Sequence, residues 1–336
     1  MERFFALVSV LAASLLGCSN SAGPAGGSSG AAGSRGQVIV DPQQPIAITA
    51  TVGMVADLAR VVGGERVQVT QICGPGVDPH LYKATRDDMQ IMMNADVIFY
   101  CGLMLEGKMT DTLIKMSRTK NIIAVTERLD EKFLLEPAEF AGHYDPHVWM
   151  DVSAWSQCVD VIADELSKLD PPSEPGYRQR ATGLRDQLAE LHEYGKQAIG
   201  TVPVDSRVLV TSHDAFNYFG RAYDLEVLGV QGLSTESEAG LQRINELVDL
   251  LVERNVKSVF VESSVPRKNI DSLVEGARSR GHQVHVGDQV LYSDAMGRAG
   301  TYEGTYIGML DHNITLVARG LGGQAPVDGF QGKLNQ

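Results

Sequence analysis

Three histidines and one aspartate in this chain stand in settings suited to gripping a cation. The tripeptide Asp-Pro-His occurs twice, as Asp78-Pro79-His80 and Asp145-Pro146-His147. Each proline fixes its own φ, offers no N–H and restricts the residue before it, which favours a set loop over an ordinary helix. A third histidine, His213, follows Val210-Thr211-Ser212, and Asp294 follows Leu291-Tyr292-Ser293 ahead of Ala295-Met296-Gly297. Neutral imidazole nitrogens donate to divalent cations, and a carboxylate supplies compensating charge. Taken singly, each histidine reads as a hydrogen-bonding or loop residue sooner than as a ligand, and Asp294 sooner as a turn or helix cap. Asp78 and Asp145 suit turn capping as well as loop orientation. Glu236 and Glu262 suit either capping or acceptance of a ligand histidine's N–H. His143 reads as a surface loop residue, His312 as a polar position in the last helix, and Tyr292, Tyr302 and Tyr306 as packing residues.

The segments that must carry these groups alternate in type. Short apolar runs predict strands over 46–51, 67–72, 97–100 and 122–125, with a helical stripe of Met54, Val55, Leu58, Ala59 and Val62 between the first two. A helix is expected over 151–169, broken by Pro171, Pro172 and Pro175. Tyr177, Ala181, Leu184, Leu188, Leu191 and Ala198 then trace one long helix with a charged outer face. Strands follow over 207–211, 225–230 and 258–262, with a helix over 244–252 before the last of them and another over 270–277 after it. Thr235-x-x-Glu238 suggests a helix-start cap, and Tyr302, Tyr306 and Leu310 share a face of a final helix. The pattern predicts an α/β protein: two lobes with mostly parallel sheets, joined by a long linker helix. The boundaries are 38–173 for the amino-terminal lobe, 174–200 for the linker and 201–330 for the carboxy-terminal lobe. Ligands of open α/β folds gather at the carboxyl ends of strands, so the four groups can meet in an inter-lobe cleft.

Ahead of the body, Arg3 and a short apolar run to Leu16 read as a signal peptide over 1–17. Leu15-Leu16-Gly17-Cys18 resembles a lipoprotein cleavage box, which would leave Cys18 diacylated. The run rich in Gly, Ser and Ala over 18–37 reads as a flexible tether. Anchoring in a lipid bilayer through Cys18 is the expectation, at the cell envelope and on the periplasmic side if there are two membranes. The remaining cysteines, Cys73, Cys101 and Cys158, form no disulfide framework and read as small buried side chains. With 29 Lys and Arg against 42 Asp and Glu, the net charge is −13. That balance argues against nucleic acid as a partner.

Six ordered motifs sharpen the picture: GPGVDPHLYK over 74–83, HYDPHVWMD over 143–151, VTSHDAFNYF over 210–219, GLSTESEAG over 232–240, VFVESSVP over 259–266 and LYSDAMG over 291–297. Together they resemble the zinc/manganese solute-binding lipoproteins of ABC importers, the cluster A-I or cluster C type, over about residues 45–320. The resemblance implies His80, His147, His213 and Asp294 as ligands of Zn2+ or Mn2+ carried as transport substrate. It also implies delivery to a membrane permease with its cytoplasmic ATPase, by a monomer that is not an enzyme and adjusts its lobes only modestly. Some dedicated zinc members carry a histidine-rich loop before the second ligand, whereas here only His143 precedes His147. Members resembling manganese binders carry Glu at the third position, whereas here it is His213, so both metals stay open. The alternatives are a metal-loaded surface adhesin or structural protein and a zinc-dependent hydrolase. For the hydrolase, Ser212-His213-Asp214 is only a sequence adjacency and not a triad.

Overall fold

The computed structural model describes residues 43–334, so the expected signal peptide over 1–17 and the tether over 18–37 with Cys18 lie outside the described residues. The amino-terminal half runs β1 (Ile46–Ala50), α1 (Gly53–Gly63), β2 (Val67–Gln71), α2 (Arg86–Asn94), β3 (Val97–Tyr100), α3 (Thr110–Met116) and β4 (Ile122–Ala124). These strands form one parallel sheet in the order β2-β1-β3-β4, with Ile46 opposite Val67 and Ile98 opposite Ile122. Three successive residues of β3, Val97, Ile98 and Phe99, are all buried, as expected for a strand covered on both faces. A reciprocal cap starts α2: Thr85 Oγ1 accepts from Asp88 N at 3.2 Å, and Asp88 Oδ2 accepts from Thr85 N at 2.8 Å.

Helix α4 (Val152–Leu169) begins where Asp151 caps the backbone N–H groups of Ser153 and Ala154, a contact worth about 1 kcal/mol. The prolines shape its end. Pro171–Ser173 form a single 3-10 turn, and Pro175 falls in the first turn of α5 (Glu174–Gly200), where its missing N–H costs nothing. At 27 residues, α5 is about 40 Å long. Its buried stripe of Tyr177, Ala181, Leu184, Leu188 and Leu191 packs on α1 and α4 from one half, and on helices of the other half at its far end.

That second half runs β5 (Val208–His213), α6 (Asn217–Tyr223), β6 (Glu226–Gln231), α7 (Leu241–Glu253), β7 (Ser258–Val259), α8 (Lys268–Ser279), β8 (His285–Val286) and α9 (Tyr306–Gly320). β5 pairs with β6 and β7 with β8, all parallel, and Phe260 N donates to Val210 O at 2.9 Å to connect the two pairs. The fold is α/β with parallel sheets in two lobes and a long joining helix. One apolar core is continuous from β1 through α5 to α9 and Phe330, and a smaller one lies between β5, β7, α7 and α8. Among the described residues, no helix is long and apolar enough to cross a membrane.

Three local expectations are corrected. The strand over 258–262 is regular only to Val259; beyond it the chain bonds to the segment after β8 through Leu291 N to Val261 O and an isolated Glu262–Leu291 bridge. Thr235 caps no helix, because α7 starts at Leu241 behind Gly240, and its hydroxyl is engaged elsewhere. Tyr302 lies in a separate 3-10 turn (Tyr302–Gly304) and not in α9. Gly308 makes that fold-back possible, since a Cβ there would stand 1.9 Å from Tyr302 O.

Candidate metal centre

The four candidate ligands come from four different elements. His80 sits in the loop between β2 and α2, and His147 opens the 3-10 turn Val148–Met150 that leads to α4. His213 is the last residue of β5, and Asp294 lies in the loop between β8 and α9. The chain brings them together: one donor atom from each lies within 4.8 Å of all the others. His80 Nε2 is 3.3 Å from His147 Nε2, His147 Nε2 is 3.4 Å from Asp294 Oδ1, and His213 Nε2 is 3.2 Å from Asp294 Oδ2. His147 and His213 are fully buried, Asp294 is 1% exposed and His80 3%.

Each approach is fixed by its neighbours. Asp78 Oδ1 accepts from His80 N and Asp145 Oδ1 from His147 N, both at 2.9 Å, so the aspartate of each Asp-Pro-His turn closes its own loop. Asp145 also takes the ring, Nδ1 of His147 lying 2.7 Å from Oδ1. Glu262 does both tasks for His213, accepting from its N at 2.8 Å and from Nδ1 at 2.5 Å. A carboxylate on Nδ1 requires the proton there, which in the neutral ring leaves the Nε2 lone pair facing the centre. Ser264 Oγ donates to Asp294 Oδ2 at 3.3 Å, and Trp149 Nε1 donates to Ser293 O at 3.0 Å. Tyr306 OH in turn donates to Trp149 O at 2.7 Å, which ties α9 to the loop behind His147.

The centre is therefore a meeting of acceptors. His213 Nε2 and Asp294 Oδ1 are buried with no hydrogen-bond partner, although each has a neighbour within 3.4 Å. Lone pairs this close in a dry site repel unless a positive charge lies between them. Without a metal, protons supply that charge. Burial by itself disfavours the His147 imidazolium, but Asp145 and Asp294 outweigh it and raise the group to about 9. Burial is likewise overcome at His213 by Glu262 and Asp294, which hold its imidazolium well above the usual range. Burial pushes Asp294 up, yet His213, His147 and His80 pull its carboxyl well below the ordinary value. His80 is the exception: burial lowers it to about 3 against the opposing pull of Asp294.

The other sequence candidates separate. Glu262 braces a ring as one of its two readings proposed. Glu236 does not; it is exposed and pairs with Lys108 at 2.7 Å. His143 is exposed beside Phe140, and His312 is buried in α9 with Nε2 on Val290 O at 2.9 Å. Cys73, Cys101 and Cys158 are free and buried. Three supports escaped the sequence reading: Trp149, Ser264 and Asn217, whose Nδ2 donates to Asp145 Oδ2 at 3.1 Å. For Asn217 the signal was its place in HDAFN beside His213.

Comparison with known proteins shows the family. The family model described as zinc-uptake complex component A, periplasmic, matches residues 48–320. The manganese-binding lipoprotein MntA of Bacillus subtilis is 48% identical over 278 residues, covering 83% of this chain and 90% of its own length. The zinc-binding protein TroA of Treponema pallidum is 44% identical, covering 82% and 88%. The solved structure of the periplasmic zinc-binding TroA from Treponema pallidum superposes with a TM-score of 0.80 at 42% identity, over 83% of this chain and 99% of that one. Parallel α/β halves, a long joining helix and a buried cluster of three histidines and one aspartate accompany these matches, and the chain belongs to the zinc-uptake component A family of metal-binding, solute-binding proteins of ABC transporters.

Proposed function

We propose that this chain captures a divalent metal, Zn2+ or Mn2+, outside the cytoplasm and delivers it to the permease of an ABC importer powered by a cytoplasmic ATPase. His80, His147, His213 and Asp294 are the ligands in this reading, and the ion is cargo. The observation that carries it is the buried convergence of three Nε2 atoms and a carboxylate within 4.8 Å, with two of those acceptor atoms otherwise unpartnered. A dication between them satisfies what the protein leaves unsatisfied. Four protein donors leave little room for the water or substrate that a catalytic zinc needs, which favours carriage over hydrolysis.

The division into an amino-terminal lobe over 38–173, a linker over 174–200 and a carboxy-terminal lobe over 201–330 belongs to the same reading. So does a monomeric body held at the cell envelope by a lipidated Cys18 and a tether to residue 37. Affinity stabilises the loaded protein by mass action, and delivery requires the permease to disrupt the coordination. The long α5 and the core shared between the halves favour small lobe adjustments over wide opening. Three imidazoles and one carboxylate favour Zn2+ over Mn2+ on intrinsic affinity. Competitive titration of metal-stripped protein with Zn2+ and Mn2+, by calorimetry with elemental analysis, tests the proposal. Saturable binding of one of these ions is expected, abolished in H80A/H147A/H213A. Equal binding by that variant removes the coordination role.

A further inference from the structure

The segment 232–240, whose Thr235-x-x-Glu238 suggested a helix-start cap, has another use. It leaves β6 and crosses to the other lobe at two points. Thr235 Oγ1, itself buried, donates to Asp78 Oδ2 at 2.5 Å, while Asp78 Oδ1 holds the backbone N–H of His80 at 2.9 Å. The next residue, Glu236, accepts from Lys108 Nζ at 2.7 Å across the mouth of the cleft. Thr235 thus reaches a candidate ligand through one intervening carboxylate, and Glu236 closes over the surface just outside it.

The surroundings leave this segment room to move. A cavity of about 620 Å³ lies on one flank, bounded by Gly232, Leu233, Ser234 and Ser237 against Asn217 and Arg243. A second of about 310 Å³ lies on the other, where Leu233, Ser234, Glu236 and Ser237 face Met104 and His80. His80 is the one candidate ligand that borders either cavity, and it is the most exposed of the four at 3%. The facing wall is strained. Gly102, Leu103 and Met104 have φ of 94°, 52° and 67°, and two bulky residues in the left-handed region mark a conformation held from outside. Its holder is the buried Glu106, whose carboxylate accepts from Thr51 Oγ1 at 2.6 Å, Cys101 N at 2.7 Å and Gly102 N at 3.3 Å.

We infer that the segment 232–240 is an inter-lobe clasp, whose Thr235–Asp78 and Glu236–Lys108 contacts gate passage of the metal through the cavity beside His80. The inference rests on the capture reading and adds a release-controlling element to it. Opening the clasp frees the loop carrying His80 while His147 and His213 keep their carboxylate braces. His80 is then the first ligand lost on release and the last gained on capture. A gate affects entry and exit alike, so breaking it speeds both.

The test is stopped-flow exchange on full-length mature protein loaded with Zn2+. Release is read by an excess of chromogenic chelator, and capture by the fluorescence of Trp149, whose ring lies 5.2 Å from that of His147. An exposed ion pair and a single hydrogen bond are each worth about 1 kcal/mol or less to such a barrier, so K108E and T235V should each speed release and capture by about three- to fivefold. K108E/E236K should return both rates to within about twofold of wild type, a rescue that a merely structural role for either residue would not produce. Lys108 and Glu236 are surface residues, so these variants keep the test decisive even if T235V folds poorly. Normal Zn2+ binding with unchanged rates in K108E overturns the clasp alone. Faster release with unchanged capture also overturns it, because the contacts then add affinity without gating. Failure of wild-type protein to bind Zn2+ overturns the capture reading beneath it.

Discussion

His147 and His213 each donate a hydrogen bond from Nδ1 to a buried carboxylate, whereas His80 has only its backbone N–H so anchored among the described residues. The first two rings lie in the fully buried interior, with tautomer and orientation set before any metal arrives. The third borders a cavity and hangs on a loop that one aspartate closes. Electrostatics divides them the same way. His147 and His213 are held above the usual imidazole range by their carboxylate neighbours, while burial takes His80 down to about 3. The braced pair is a proton store awaiting exchange, and His80 is already a neutral donor. On the capture reading, such a site would combine tight holding with a way out, by bracing two ligands firmly and leaving the third beside a cavity.

The largest effect that separates the two kinds of ring is pH. In the empty protein at neutral pH both braced rings carry protons, His147 until about 9 and His213 well beyond its ordinary range. Metal must displace them, so acidification favours the proton-loaded form and weakens capture, and raising the pH strengthens it. Two protons leaving for one dication also keeps the buried charge unchanged, which avoids a costly imbalance in a dry site. Affinity should therefore rise by up to about a hundredfold per pH unit between 6 and 8, the slope for two displaced protons. Calorimetry in buffers of different ionisation enthalpy counts those protons directly. A count near zero would mean that the braced rings are neutral in the empty protein, and the contrast with His80 would lose its electrostatic half.

Removing the braces gives the next effect. E262Q and D145N keep an acceptor near each ring but withdraw the charge, and loss of such outer partners typically costs about 10–100-fold in metal affinity. D78N alters only the backbone anchor of His80 and its tie to Thr235, so its equilibrium cost should fall below both. E262Q should also lower the proton count by about one, because His213 loses the partner that holds its proton. If D78N proves as damaging as E262Q, His80 is as firmly held as the other two and the division between them fails.

How much of this was legible depends on how locally each feature is specified. Asp-Pro-His is a self-contained device: proline sets the loop and the aspartate bonds back to the histidine backbone, so His80 and His147 could be singled out without neighbours. The α5 stripe from Tyr177 to Leu191 was equally plain, since its helical period is written in consecutive turns. Thr235 misled because Thr-x-x-Glu satisfies a local capping pattern, and nothing nearby says that its hydroxyl serves Asp78 across the cleft. Glu236 failed likewise, its true partner Lys108 lying 128 residues earlier. The apolar run at Val259-Phe260-Val261 promised a longer strand, but β8 is only two residues long and leaves the rest to single bonds. Trp149 advertised bulk, and only the fold shows its indole N–H reaching Ser293 O beside Asp294.

The smallest expected effect concerns a histidine outside the comparison. His143 lies four residues before His147 in the same motif and is exposed beside Phe140, so sequence proximity alone would recruit it to the site. Proximity in sequence is a poor guide to placement here, because the chain passes from an exposed loop at His143 to a buried ring at His147 within four residues, through the turn at Asp145-Pro146. An exposed imidazole also meets a hydrated ion that other surface groups bind nearly as well, and a single weak donor adds little once water competes for it. H143A should therefore change Zn2+ affinity by less than about twofold, and leave the number of displaced protons as it was, because no carboxylate brace depends on it. Equilibrium titration against a competing chelator resolves that difference. A tenfold loss in H143A would place an external collecting site ahead of His80, and would move the entry point for metal from the cavity beside Met104 to the loop that holds Phe140.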